Sequence, residues 1–216
     1  KTVLIGSGVK VSEFEDSSII KKHLPTLLNT LPHFASPSLR NMATLGGNCA
    51  NASPSADLAC ALVSEKAHIV LYRKGEKRKI LLKDFFRGLR RTALKKDELI
   101  LGVEIPKIKH KGVYVKLASR SSFAISKIGL AISARVNKEK IEYLSIAVAS
   151  VAPKIITAPK TCAFLKNKKI SLETLNKASE LIQKEVSPIT DIRSNDDYRR
   201  AMAGVLLKKG LKQILK

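Results

Sequence analysis

The sequence predicts an α+β protein built from two domains in series, and three observations carry that prediction. The first half mixes a helix-period segment with β-rich runs. The second half opens on three strand-like runs and closes on two helix-period segments. Between them, Lys107 to Gly112 is short, basic and poor in apolar residues, which sets the boundary and gives domains 1–107 and 108–216.

The chain opens on Val3, Leu4 and Ile5, a run that reads as the middle of a strand. In "SSIIKKHLPTLLNTLPHF", Leu24, Leu27, Leu28 and Leu31 recur at helical spacing, with Ser17 or Ser18 as cap and Pro32 as terminator. The expectation is one helix with one core face. "KAHIVLYRKGEKRKILL" holds two β-rich runs around Lys74-Gly75-Glu76, a hairpin, and "DELILGVEIP" is a strand stopped by Pro106. Beyond the boundary, "GVYVKLA", "IGLAISARV" and "IEYLSIAVASV" form a small three-stranded antiparallel sheet, the last two strands joined through Asn137-Lys138-Glu139-Lys140. A helix starting near Ser171 lines up Leu172, Leu175, Ala178 and Ile182. The final helix is capped by Ser194, with Asp196 and Asp197 complementing its dipole and Tyr198, Met202, Val205 and Leu206 as its apolar face.

Composition narrows the function. A chain of 216 residues can bury a real core, and no apolar run approaches the roughly 20 residues a membrane span requires. Nothing resembles a secretion signal, so the expectation is a soluble, cytoplasmic protein without a membrane association. Cys49, Cys60 and Cys162 are odd in number and widely spaced, and no His falls near them at ligand spacing; they read as buried thiols in a reducing compartment, and no metal site is expected. The net charge of +22 would attract nucleic acid, an acidic partner or an anionic membrane. The basic residues are scattered from Lys1 to Lys216 and aromatics are only 5%, which argues against nucleic acid and for a lysine-rich solvated surface. The start at Lys1, directly before a strand, reads as a piece of something longer.

The segment "RNMATLGGNCANASPSADLACALV" is the main candidate for chemistry. In Thr44-Leu45-Gly46-Gly47-Asn48 the glycines allow positive φ and close backbone approach, so their N–H groups could cradle an anion; a tight turn is the plainer reading. Asp57 could cap the following helix or accept from a ligand hydroxyl. The four histidines lie in no nucleophile or acid–base constellation, and neither a P-loop nor G-x-G-x-x-G occurs. Whatever reaction the protein serves, a cofactor would carry the chemistry and no catalytic residue is expected.

The whole stretch "SPSLRNMATLGGNCANASPSADLACALV", with Arg40-Asn41, T-L-G-G-N and A-S-P-x-x-D in order, resembles the flavin-binding signature of the FAD subunit of molybdenum hydroxylases, the family of xanthine dehydrogenase and carbon monoxide dehydrogenase. The resemblance continues through "LKDFFRGLRRTALKKDELILGVEIP", "VYVKLASR", "IAVASVAPKIITAPKT" and "SPITDIRSNDDYRRAMAGVLL". It implies the second subdomain of a two-part FAD-binding α+β domain, followed by a small α+β domain. It further implies that Thr44, Leu45, Gly46, Gly47, Asn48 and Asp57 contact FAD, with Phe34, Ile100 and Lys116 beside it, and that Asp191, Arg193, Tyr198 and Arg199 tie a loop to the last helix. Implied partners are a large subunit with the molybdenum cofactor and a small subunit with two-iron two-sulfur clusters. The family's other Gly-rich loop, A-G-G-T-D-like, does not occur in these residues; either it has been removed from this chain, or a separate N-terminal FAD-binding piece supplies it as a further partner. Where members carry a second Arg and acidic residues, this chain has Ser121-Ser122-Phe123. The expected role is electron exit through FAD to an external acceptor; the alternative is a truncated, non-catalytic scaffold that docks partner subunits without FAD.

Overall fold

The structure, a computed structural model, describes residues 1–120 and 123–215; Ser121 and Ser122 of the departure noted above lie outside the described residues. The chain begins with β1 (Thr2–Gly6), then α1 (Ser18–His23), α2 (Pro25–Thr30), α3 (Pro37–Arg40), α4 (Leu45–Asn51) and α5 (Asp57–Ser64). The expected single helix over the leucine run is therefore two. Pro25 lacks an N–H and crowds the residue before it, and Leu24 accordingly leaves the helical region, at φ −126° and ψ 60°. Ser17 caps α1 as expected, accepting from the Ile20 N–H at 3.4 Å. Pro32 does not stop the chain's coiling: a 3-10 turn runs over Leu31–His33.

The hairpin β2 (His68–Arg73) and β3 (Glu76–Leu81) turns through Lys74 and Gly75, both at positive φ, the geometry that matches the right-handed twist of paired strands. After α6 (Leu82–Phe85), the short β4 (Phe86–Gly88) and β5 (Arg91–Thr92) form a second ribbon, and β6 (Leu99–Pro106) returns to the first sheet, whose order is β1-β6-β2-β3.

The other sheet comprises β7 (Lys111–Leu117), β8 (Ile128–Asn137), β9 (Lys140–Ala149) and β10 (Ile156–Thr157), in the order β10-β9-β8-β7, antiparallel throughout. It is four-stranded, not three-stranded, because the two residues of β10 add to its edge. The chain ends with α7 (Pro159–Leu165), α8 (Leu172–Glu185) and α9 (Asp196–Leu215). Helix α7 is not foreseen by the sequence reading. Among the described residues no helix is long and apolar enough to cross a membrane.

This second sheet is covered on both faces. Helices α2 and α5 from the first half of the chain pack on one side, and α9, backed by α8, on the other. That explains why β8 is buried from Ile128 to Ala134 without alternation, as strands sandwiched between two layers are. The α9 face also differs from expectation. Tyr198 and Val205 are exposed, whereas Leu206 is buried and Met202 packs on the core as expected; the buried stripe continues through Ala203, Leu207, Leu211 and Ile214, led by Arg199, which an ion pair with Asp191 draws inward. The cap of α9 is Asn195, whose Oδ1 accepts from the Tyr198 N–H at 2.7 Å, rather than Ser194. In α8, Ser171 caps as expected, but Leu172 is exposed.

Candidate functional site

The glycine motif is the start of a helix. Thr44 is the N-cap of α4, its Oγ1 accepting from the Gly47 N–H at 3.1 Å, and neither Gly46 nor Gly47 has positive φ. The tight-turn reading is thus corrected, and so is the free amide cradle. The Leu45 N–H donates to the Val9 carbonyl at 3.1 Å, that of Gly46 to the Ser7 carbonyl at 2.8 Å and that of Asn48 to the Thr44 carbonyl at 3.0 Å. The two glycines serve different ends. A Cβ on Gly46 would lie 2.6 Å from the Ser7 Cβ and 2.9 Å from the Ser7 carbonyl oxygen, so glycine lets the loop after β1 close on α4. A Cβ on exposed Gly47 would meet only the Thr44 Oγ1, at 3.0 Å, so its absence bares the surface instead.

That bare surface is one wall of a depression of about 340 Å³ lined by Ser7, Thr44, Gly46, Gly47, Leu94 and Ile100. A second cavity, about 310 Å³, involves Phe34, Leu39, Asn48, Asp57, Phe123 and Ile125. Phe34 is held there by Arg40, whose Nη1 donates to the Phe34 and Leu31 carbonyls at 3.1 and 3.0 Å. The Asn48 Oδ1 is buried and has no hydrogen-bond partner among the described residues, an acceptor left waiting for a donor. A third cavity of about 480 Å³, lined by His33, Lys116, Leu117, Ala118 and Arg120, shares Ala124 with the second.

Asp57 is not a cap either: Ala56 occupies that position and Asp57 is the first helical residue of α5. Its carboxylate is nonetheless favourably placed at the positive end of the helix dipole. Oδ1 accepts from the Tyr114 hydroxyl at 2.5 Å and the Ser126 hydroxyl at 2.6 Å, while Oδ2 accepts from the Lys116 Nζ at 2.7 Å. Lys116 also donates to the His33 carbonyl, at 2.9 Å. Burial, reinforced by the Asp57 charge, raises the Tyr114 pKa well above its ordinary value, so the phenol stays a donor. Burial and the neighbouring Lys116 lower that of His33. Tyr114 and Ser126 are absent from the sequence-derived set. Tyr114 was within reach, because two residues before Lys116 on one strand means the same face; Ser126 carries no such signal.

The floor is braced from the far end of the chain. Ser150, at φ +64°, donates its N–H to the Pro54 carbonyl at 2.8 Å and its hydroxyl to the Ser126 carbonyl at 3.0 Å, and its Oγ accepts from the Ser55 hydroxyl at 2.8 Å. Its own carbonyl accepts from the Arg199 Nη1 at 3.4 Å, and Arg199 is fixed by the Asp191 Oδ1 at 2.6 Å. Asp191 also accepts from the Arg193 and Ser194 N–H groups, so it ties the loop before α9 to that helix; Tyr198 takes no part in this set.

Of the nine sequence-derived residues, Thr44, Gly46, Gly47 and Ile100 meet at the first depression, Phe34, Asn48 and Asp57 at the second, and Lys116 at the third. Leu45 meets none of them: its side chain is wholly buried in the core and its N–H is bonded to Val9.

A family described as the FAD binding domain in molybdopterin dehydrogenase matches residues 1–108, and one described as the CO dehydrogenase flavoprotein C-terminal domain matches residues 113–214. The chain belongs to the FAD-binding medium subunits of the molybdenum hydroxylases. It is 28% identical over 214 residues to the glyceraldehyde dehydrogenase medium chain of Sulfolobus acidocaldarius, covering 98% of this chain and 75% of that one. To the xanthine dehydrogenase FAD-binding subunit of Escherichia coli O157:H7 it is 28% identical over 208 residues, 95% of this chain and 71% of that one. Among solved structures, it superposes on a chain of carbon monoxide dehydrogenase from Hydrogenophaga pseudoflava with a TM-score of 0.95 at 27% identity, covering 99% of this chain and 75% of the other. As a medium subunit of this family it is an oxidoreductase component and a flavoprotein. The bare Gly47 and the unpartnered Asn48 oxygen fit a cofactor rich in hydroxyls.

Proposed function

We propose that this subunit takes electrons from two-iron two-sulfur clusters on a small partner subunit and passes them through FAD to an external acceptor, while a large partner subunit holds the molybdenum cofactor. The observation that carries the reading is the pair of features at α4: a surface bared by Gly47, and a buried Asn48 acceptor that has no donor among the described residues. FAD supplies the redox chemistry, and the chain supplies position and electrostatics. In this reading Phe34, Thr44, Gly46, Gly47, Asn48, Asp57, Ile100 and Lys116 hold the cofactor, with Leu45 fixing α4 from below. Asp57 Oδ2, bonded among the described residues only to Lys116, keeps one acceptor position for a hydroxyl or ring N–H. The opposite wall comes from a Gly-rich segment outside these residues, on the same or a separate chain. The buried Cys49 and Cys60, whose thiols burial holds strongly protonated, accord with a cytoplasmic assembly.

A second reading has its own support: the N–H groups of residues 45–48 are all bonded within the chain, as they would be in a scaffold that docks partners without FAD. The flavin content and visible spectrum of the full-length protein, with its native N-terminus and its partners, separate the two. Bound FAD is expected. Gly47→Val and Asn48→Ala should each weaken FAD retention about tenfold, the loss of roughly one good hydrogen bond or contact, with little change in thermal midpoint. A colourless complex without FAD affinity would leave the scaffold reading standing.

A further inference from the structure

The charge that the cofactor reading leaves unused is unevenly placed. Between Arg73 and Lys96 the sequence carries eleven Lys or Arg and only two acids, Glu76 and Asp84. The fold gathers this segment into one surface. Strand β3 is the outer strand of its sheet. The loop after β5 is fastened to the β2–β3 hairpin by Arg73 on Asp97 at 3.0 Å and by the two-pronged pair of Arg78 with Glu98, and Arg78 also donates to the Ala93 carbonyl at 2.8 Å. The tip of the β4–β5 ribbon is pinned beside α4 through the Arg90 N–H on the Ala52 carbonyl.

Arg73, Arg78, Lys79 and Lys83 are matched by Asp97, Glu98, Glu104 and Asp84. Lys74 and Lys77 at the hairpin, Arg87, Arg90 and Arg91 on the ribbon, and Lys95 and Lys96 on the loop are exposed and have no carboxylate partner among the described residues. Lysines on an edge strand discourage pairing with like strands, which accounts for Lys77. It does not account for the ribbon and loop cations, which lie off that edge.

We propose that β3, the β4–β5 ribbon and the loop of residues 93–98 dock an acidic polypeptide segment of a partner protein. Three features favour a polypeptide. The β3 edge offers backbone donors and acceptors to an extended chain. Arginine forks suit carboxylates in pairs. Leu89, 63% exposed at the ribbon tip, provides an apolar contact between the cations. Nucleic acid is less well served, since Phe85 and Phe86 are buried and Tyr72, opposite Lys77, is half-buried, so this surface offers no fully exposed ring for base stacking among the described residues. Leu94 and Glu98 belong both to this surface and to the depression at Gly47, so a docked partner would sit at the edge of the cofactor site. The docking itself does not depend on FAD being bound.

The test uses the full chain and labelled poly-L-glutamate as probe, followed by fluorescence anisotropy at low and physiological salt. One variant carries Lys74→Glu, Arg90→Glu and Arg91→Glu; a second carries Lys95→Glu and Lys96→Glu, so a folding failure in one leaves the other. A charge-matched control carries Lys166→Glu, Lys209→Glu and Lys212→Glu, beside α7 and on α9. Affinity should drop about tenfold in the first variant and less than about twofold in the control, beyond what screening alone removes. Equal losses in variant and control would overturn the proposal, because binding would then follow net charge alone. So would a single-stranded RNA of equal charge binding more tightly than poly-L-glutamate and losing affinity in the same variants.

Discussion

The two ends of α5 hold the same kind of group and use it differently. Both Asp57 and Glu65 are buried carboxylates, and both fasten the first half of the chain to the second. Asp57, at the N-terminal end, gathers Tyr114, Lys116 and Ser126 and forms part of a cavity wall. Glu65, just past the C-terminal end, sits at the unfavourable pole of its own helix dipole. Its Oε1 is compensated by α2, whose Thr26 and Leu27 N–H groups donate at 3.0 and 3.1 Å, and by His110, whose Nε2 lies 3.6 Å away, while its buried Oε2 has no partner among the described residues. Glu65 is sealed in the core and serves as the missing cap of α2, whose N-cap residue, Leu24, has no side chain able to do so. A buried carboxylate becomes a site residue only where its surroundings leave room for a ligand, and in a sequence both are simply acids flanking one helix.

The largest break in this comparison should come from Asp57→Ala. It strands a buried ammonium and two hydroxyls, and the loss of one partner of a buried pair costs about 3–5 kcal/mol; denaturant unfolding should show that loss together with lost FAD retention. Asp57→Asn, which keeps an acceptor, should restore much of the stability. Next in size, Glu65→Ala leaves the α2 donors unpaired, about 1–3 kcal/mol, with FAD content per folded protein unchanged. Equal loss of FAD in both variants would erase the distinction between the two ends.

The smallest effect is a slope with pH. Burial alone would lower the His110 pKa, but the Glu65 carboxylate and the Ile108 carbonyl outweigh it and raise it above 6.5. A raised folded-state pKa stabilises fully below the unfolded value and loses that contribution as pH rises through the folded one. Wild-type stability should therefore fall more steeply than that of His110→Asn between about pH 6 and pH 8. Identical slopes would mean that the histidine contributes no charge to the Glu65 end.

Much of this was legible beforehand, and the failures have physical causes. The hairpin at Lys74-Gly75 and the strand halted at Pro106 follow from local chemistry and appear as read. The break at Leu24 was also written in the sequence, as Pro25, but the leucine spacing overrode it. Helix α7 is short and begins at Pro159, too brief for a period to emerge. The face of α9 depended on an ion pair across the loop before it, which residue spacing does not reveal. At the site, the motif located α5 but read α4 as a turn, and the role of each residue depended on partners distant in sequence: Ser7 for Gly46, and Tyr114 and Ser126 for Asp57.

The brace at Ser150 bears on the order of events during synthesis. A nascent chain that has reached only β6 already contains Asp57 and Asn48, yet it lacks the hydroxyls and ammonium that surround the carboxylate and the Arg199 that steadies Ser150 from α9. These contacts span long loops, which close slowly and late. The pocket is therefore finished only once α9 has left the ribosome and docked, and loading of a cofactor becomes a report that synthesis has passed α9.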